Sequence, residues 1–87
     1  MNLSWTELAW EQYLYWQNQD KRTLKRINVL IKDTLRNPFD GLGKPEPLKG
    51  LLGGCWSKRI DEKNRLVYQA TDTQLLILQC RFHYDDK

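Results

Sequence analysis

Glu46 lies between Pro45 and Pro47. The two pyrrolidine rings fix φ on either side of it, and the stiffened backbone suits a base that must meet its proton at one place. By spacing alone, a solvated loop glutamate explains the same tripeptide and is the commoner case. The chain has one histidine, His83. Imidazole is the side chain that trades protons near neutrality, but a lone histidine here reads first as a surface residue. The arginines fall on strand-like runs, where alternate residues share a face. Ser57 and Arg59 share one face of their run, Arg65 shares a face with Val67 and Gln69, and Arg81 shares one with His83. A meander of these runs can gather the polar sides into a concave basic surface suited to phosphates. From periodicity alone, the wet sides of half-exposed strands remain the first explanation. A metal cluster is not visible, since there is no CxxC and no paired acidic motif. A phosphate-binding or dinucleotide glycine fingerprint is also missing, so no cofactor is expected.

The elements that must position these residues follow in the order β, α, α, long loop, β, β, β. Asn2–Trp5 is a candidate edge strand. Thr6 can cap a helix reaching about Gln17, with Glu7 and Glu11 in its early turns, where the helix dipole favours negative charge. Its apolar and aromatic residues (Leu8, Ala9, Trp10, Tyr13, Leu14, Tyr15 and Trp16) are too many for one stripe. Such a helix either packs on two sides or offers a surface to a partner. Asn18-Gln19-Asp20 is a break, and Asp20 caps a second helix from Lys21 to about Leu35. Leu24, Ile27, Ile31 and Leu35 form its core-facing stripe, and Lys21, Arg22, Lys25, Arg26, Lys32 and Arg36 form a face that is first of all solvated. Residues 36–50 hold three prolines and three glycines, which forbid a helix. They form a long loop ending in a short extended piece around Glu46–Lys49, and a turn follows at Leu51-Leu52-Gly53-Gly54. Strands are expected at Cys55–Ile60, Arg65–Thr71 and Gln74–His83. Two helices on one face of a twisted, mainly antiparallel sheet is the α+β solution for this order.

The 87 residues suffice for a single domain, 1–87. So short a chain buries only about 60–65% of its unfolded surface, so a shallow groove completed by a partner is expected rather than a deep pocket. Fourteen Lys and Arg against eleven Asp and Glu give a net charge of +3, which is compatible with a polyanion but does not establish one. No run approaches the roughly 20 apolar residues of a membrane span, and the start Met1-Asn2-Leu3-Ser4-Trp5 does not look like a signal peptide. A cytoplasmic location is expected, with Cys55 and Cys80 reduced and serving as small buried hydrophobes.

Several blocks of the chain, in order from Leu3 to Tyr84, carry a resemblance. They are Trp5, Tyr13-Leu14-Tyr15-Trp16, Asp20-Lys21-Arg22, Pro38-Phe39, Gly41-x-Gly43-Lys44-Pro45-Glu46-Pro47-Leu48-Lys49, Trp56-Ser57-x-Arg59-Ile60, Arg65-Leu66-Val67-Tyr68 and Cys80-Arg81-x-His83-Tyr84. The chain resembles the YoeB toxins, a branch of the RelE-type ribosome-dependent mRNA interferases. The resemblance implies a RelE-like fold and a toxin of a type II toxin–antitoxin system that cuts mRNA in the A site of the 70S ribosome. It places a general base at Glu46, a general acid at His83, a phosphate-stabilising arginine at Arg65 and a positioning aromatic at Tyr84. Lys49 and Arg59, with Lys44 and Arg81, fall on substrate-binding positions. It also implies a Phd/YefM-type antitoxin that folds over the groove, and operator DNA bound only through that complex. The aromatics of the first helix are available to a homodimer contact or to the antitoxin. Similar sequences often have His where this chain has Asn64 and Arg where it has Lys58, and the tail Asp85-Asp86-Lys87 sets two acids near His83 and Tyr84, where they are expected to weaken phosphate approach.

The implied set makes chemical sense. RNA carries its own nucleophile, the 2′-OH. A carboxylate, an imidazole and guanidiniums supply the base, the acid and the anion stabilisation its attack needs. Without the resemblance, a non-catalytic RNA- or DNA-holding module or a protein-binding adaptor accounts for the same residues.

Overall fold

The computed structural model describes residues 1–84. The tail Asp85-Asp86-Lys87, and the expectation that its acids oppose phosphate approach, lie outside them. Strand β1 (Asn2–Trp5) leads into helices α1 (Glu7–Gln19) and α2 (Lys21–Arg36). Strands β2 (Glu46–Pro47), β3 (Trp56–Arg59), β4 (Arg65–Ala70) and β5 (Gln74–Gln79) follow the long loop. They form one five-stranded sheet in the order β1-β5-β4-β3-β2. The β1–β5 pair is parallel and the remaining pairs are antiparallel. The architecture is the α+β one expected, with both helices on one face of a mainly antiparallel sheet.

Local chemistry sets the helix ends. Thr6 accepts a hydrogen bond from the Ala9 amide and caps α1, a contact that contributes about 1 kcal/mol. Asp20 is extended, closes α1 through its own N–H to the Trp16 carbonyl, and caps α2 by accepting from the Arg22 and Thr23 amides. One residue does both jobs, so α1 runs to Gln19 rather than stopping near Gln17. On α2 the buried positions are Ile27, Leu30, Ile31 and Thr34, with Leu24 and Leu35 at the flanks of the core. Arg26 departs from the solvated face: its guanidinium donates to the carbonyls of Arg59 and Ile60 and ties α2 to the end of β3.

The main core lies between the helices and the sheet and includes Ala9, Trp16, Ile27, Leu30, Leu66, Tyr68, Leu75 and Ile77. A second, smaller cluster joins Leu48, Cys55 and Val67, with Leu52, Leu78 and Tyr84 packed against it. Val67 alternates with Leu66 and Tyr68, so this cluster sits on the opposite face of the sheet.

The final strand corrects the sequence reading. It ends at Gln79, not His83. The Cys80 peptide is taken by α1 instead of a neighbouring strand: its N–H donates to Gln12 Oε1 at 2.8 Å and its carbonyl accepts from Trp16 Nε1 at 2.8 Å. Phe82 then adopts a left-handed φ of 68°, and the chain turns out of the sheet. Arg81 and His83 therefore do not share a strand face. One turn of tight helix over Gly50–Leu52 takes up the first half of the turn expected at Leu51–Gly54.

Both cysteines are free and buried, and they belong to the two separate clusters. Burial pushes the Cys80 thiol up to about 12 and raises that of Cys55 as well. In the folded chain at pH 8, Cys80 is expected to react with a thiol-directed disulfide reagent at under roughly a thousandth of the rate of a free thiol, because the thiolate is the reacting form. Full reactivity is expected in denaturant. Rapid titration of both thiols without denaturant would contradict the packing described.

Candidate active site

The strand register assembles a polar surface on the face away from the helices. Glu46 is paired with Ser57, Ser57 with Val67, and Val67 with Gln79, so these four form one row across the sheet. Arg59 and Arg65 are directly paired in the next row. Two residues along a strand separate the rows, a spacing of roughly 7 Å. Like charges placed directly opposite destabilise a sheet. Among the described residues no acidic side chain forms an ion pair with either arginine, and Asp61 acts on Arg65 only from farther off. Such a pair is relieved by an anion lying between or above the guanidiniums.

The C-terminal segment folds back onto this surface. The Tyr84 hydroxyl donates to Glu46 Oε1 at 2.9 Å, and the His83 ring stacks on the Tyr84 ring with centroids 4.3 Å apart. The Arg65 amide donates to the Phe82 carbonyl at 3.0 Å, which places the His83 segment beside the start of β4. Glu46, Tyr84 and His83 are thus joined by direct contacts, and the residue before His83 is tied through its backbone to Arg65. Arg65 is half-buried, and its Nη1 donates to the carbonyls of Asp61 and Asn64. Its guanidinium is held by its own turn rather than left to wander.

A framework under the groove holds the Glu46 loop. Asp33 accepts from the Leu42 amide at 2.9 Å and from Lys58 Nζ at 3.3 Å. Lys58 Nζ also donates to the Asn37 carbonyl, and the Tyr68 hydroxyl donates to that of Pro38. The Arg59 amide donates to the Gly43 carbonyl at 2.7 Å. Gly41 has a φ of 83°, and a Cβ there would stand 2.3 Å from Asp33 Oδ2. Only glycine satisfies both constraints. Lys58 is completely buried on the helix side of the sheet, so it belongs to this framework and not to the groove.

The remaining sequence-predicted cations are more scattered. Lys44 is exposed and lines a shallow cleft of about 360 Å³ with Arg26, Gly43, Arg59, Ile60, Asp61 and Glu62. Lys49 is exposed at the start of the Gly50–Leu52 turn. Arg81 lies over the Tyr15 ring at 3.6 Å and near that of Phe82 at 4.5 Å. It lines a cleft of about 640 Å³ together with His83, Asn64 and Trp16. The structure brings Glu46, Arg59, Arg65, His83 and Tyr84 together and sets Lys44, Lys49 and Arg81 around them. Asp61-Glu62-Lys63-Asn64 is the turn expected between the strands read at Cys55–Ile60 and Arg65–Thr71; what sequence reasoning missed is that Asn64 reaches from it to the Phe82 amide.

The helical pair on a mixed sheet is an architecture shared with solved bacterial toxins. A YoeB/ParE toxin from Agrobacterium tumefaciens superposes with a TM-score of 0.93 at 49% identity, covering 97% of this chain and 100% of that one. YoeB of Staphylococcus aureus is 42% identical. It has been solved as a heterotetrameric complex with YefM (TM-score 0.89) and as a dimer (TM-score 0.90), and 97% of this chain and 98% of that one are covered in each. Toxin YoeB of Escherichia coli is 62% identical over 84 residues, which are 97% of this chain and 100% of that toxin. The family model described as "YoeB-like toxin of bacterial type II toxin-antitoxin system" matches residues 5–84. The chain belongs to the YoeB toxin family.

Proposed function

We propose that the chain acts, as one domain over residues 1–87, as a ribosome-dependent mRNA interferase that cleaves mRNA in the A site of the 70S ribosome and so stops translation. The observation that carries this is the contact chain from Glu46 through Tyr84 to His83, lying beside the paired Arg59 and Arg65. Glu46 takes the proton of an mRNA 2′-OH, and His83 protonates the departing 5′-oxygen. Arg65, with Arg59 opposite it, stabilises the charge that builds on the phosphate between them. Tyr84 holds the carboxylate and offers a ring to the neighbouring nucleotide. Lys44, Lys49 and Arg81 bind the flanking backbone. These parts need no cofactor to complete the reaction.

The groove is open, and by itself it has little means of straining RNA into in-line geometry. The ribosomal A site supplies that orientation, from which much of the acceleration comes. A Phd/YefM-type antitoxin is the natural inhibitor, a segment that orders on binding and covers the cationic groove. The YefM complex of the Staphylococcus aureus relative supports this. Operator DNA is reached only through that complex. The exposed Trp10, Leu8 and Leu14 of α1 are available to a homodimer like that of the same relative. No helix among the described residues is long and apolar enough to cross a membrane, and the ribosomal substrate argues for a cytoplasmic site of action.

Incubation with programmed ribosomes, followed by mapping of both mRNA ends, tests the proposal. Breaks within the A-site codon are expected, leaving a 2′,3′-cyclic phosphate or 3′-phosphate on one side and a 5′-OH on the other. A 5′-phosphate product, or intact mRNA with a well-folded toxin, would rule the mechanism out.

A further inference from the structure

Asn64 stands where the Asp61 turn, the Phe82 segment and Arg65 meet. Its Nδ2 donates to both carboxylate oxygens of Asp61 at 3.1 Å. Its Oδ1 accepts from the Phe82 amide at 2.7 Å, and its backbone carbonyl accepts from Arg65 Nη1 at 3.2 Å. The Asp61 carboxylate is fixed in turn by the Lys63 and Asn64 amides. An amide side chain held from its nitrogen end presents its oxygen in one direction, and here that direction is the Phe82 N–H.

Phe82 is where the C-terminal segment needs holding. It has left the sheet, and its φ of 68° is one that a non-glycine residue adopts only under constraint. Its carbonyl accepts from the Arg65 amide and from Gln79 Nε2, while its N–H has Asn64. The direction in which the next residues, His83 and Tyr84, leave this turn is set by those bonds. The Phe82 ring contributes little to that hold, since it is largely exposed.

We propose that Asn64 is a positioning residue for the reaction: oriented by Asp61, its amide clamps the Phe82 peptide and so sets where His83 and Tyr84 stand relative to Glu46 and Arg65. The proposal rests on the acid–base reading given above. Asn64 touches no reacting atom. It acts through the segment it anchors and through the Arg65 guanidinium resting on its carbonyl.

The test uses the full chain with four variants: Asn64→Ala, Asn64→Asp, Asp61→Asn and the double exchange D61N/N64D. In Asn64→Ala, amide exchange at Phe82 is expected to quicken about tenfold or more as the local bond is lost. Single-turnover cleavage on programmed ribosomes at saturating toxin is expected to slow roughly tenfold to a hundredfold, the range for a misplaced catalytic group. The half-saturating toxin concentration should stay put, because backbone binding is untouched. Asn64→Asp sets two carboxylates against each other, and Asp61→Asn sets two amide nitrogens against each other. The exchange restores a donor at position 61 facing an acceptor at position 64, so most of the rate should return. Recovery in the exchange is not expected of a residue that only fills space, and it decides the matter even if Asn64→Ala does not fold. The proposal is overturned if Asn64→Ala keeps the wild-type rate, whether or not Phe82 exchange changes, or if the exchange is no faster than Asn64→Asp. A different result, Glu46→Ala and His83→Ala cleaving like the wild type, would remove the catalytic reading itself and this proposal with it.

Discussion

Glu46→Ala and His83→Ala should each slow mRNA cleavage on programmed ribosomes by roughly a hundredfold to ten-thousandfold, the usual contribution of one positioned acid or base. Ribosome association should survive in both. Glu46 is exposed and His83 is only half-buried, so neither loss opens a cavity in the core. The loss should therefore fall on the rate at saturation and not on the half-saturating concentration. The double variant should be much less impaired than the product of the two single effects, because a base and an acid serving one transfer fail together. Tyr84 links the two side chains by a hydrogen bond on one side and a ring stack on the other. The measurement is a single-turnover time course with a binding isotherm for each variant. Independent, multiplying losses would argue that the two residues serve separate steps, and a pure loss of binding would reassign both to substrate contact.

The largest stability effect is expected at Asp33. Its partner Lys58 has a side chain with no exposure, and the two meet at 3.3 Å. Removing one member of a buried pair strands the other charge. Asp33→Ala should therefore cost about 3 kcal/mol, lowering the thermal midpoint of a domain this size by roughly 12–20 °C. Lys58→Met leaves the Asp33 charge behind, but that carboxylate is 21% exposed and keeps the Leu42 amide, so the cost should be clearly smaller than that of Asp33→Ala. Adding Lys58→Met to Asp33→Ala should then recover part of the loss. Differential scanning fluorimetry on the three variants decides this, and Asp33→Ala melting with the wild type would dismiss the pair as a support.

The same carboxylate, with Asp20 and Asp61, contributes to the acid limb of stability. Asp33 is held below the ordinary carboxylate range, first by the Leu42 N–H and then by Lys58, against an opposing effect of burial. A group with a lowered folded value stabilises the fold above its unfolded value and loses that contribution as pH falls through the folded one. The weakening should set in below about pH 4 and be shallower in Asp33→Ala.

Local features were legible. The caps at Thr6 and Asp20 and the helical period of α2 depend on residues a few positions apart, and the Pro-Glu-Pro tripeptide announced its own stiffness. The end of β5 was not, because Arg81 and His83 continue a plausible alternation. What stops the strand is Gln12 and Trp16 binding the Cys80 peptide across sequence separations of 68 and 64 residues. The burial of Lys58 was not legible either. Its place between Ser57 and Arg59 puts it on the other face of the strand, but only the packing of α2 shows it sealed beneath the sheet against Asp33. Within the groove, the basic character was readable, but the approach of the C-terminal segment to Glu46 was not. It depends on the Phe82 turn, whose hydrogen bonds come from Asn64, Arg65 and Gln79.

The parallel pairing of β1 with β5, which sets Asn2 opposite Gln74, orders events during synthesis. β5 is the strand that bridges β1 and β4, and it is translated after both. Until it emerges, β1 has nothing to zip against and the two ends of the sheet stay apart. His83 and Tyr84 follow β5 in chain order, so the closing of the sheet and the arrival of the segment that meets Glu46 are one late event.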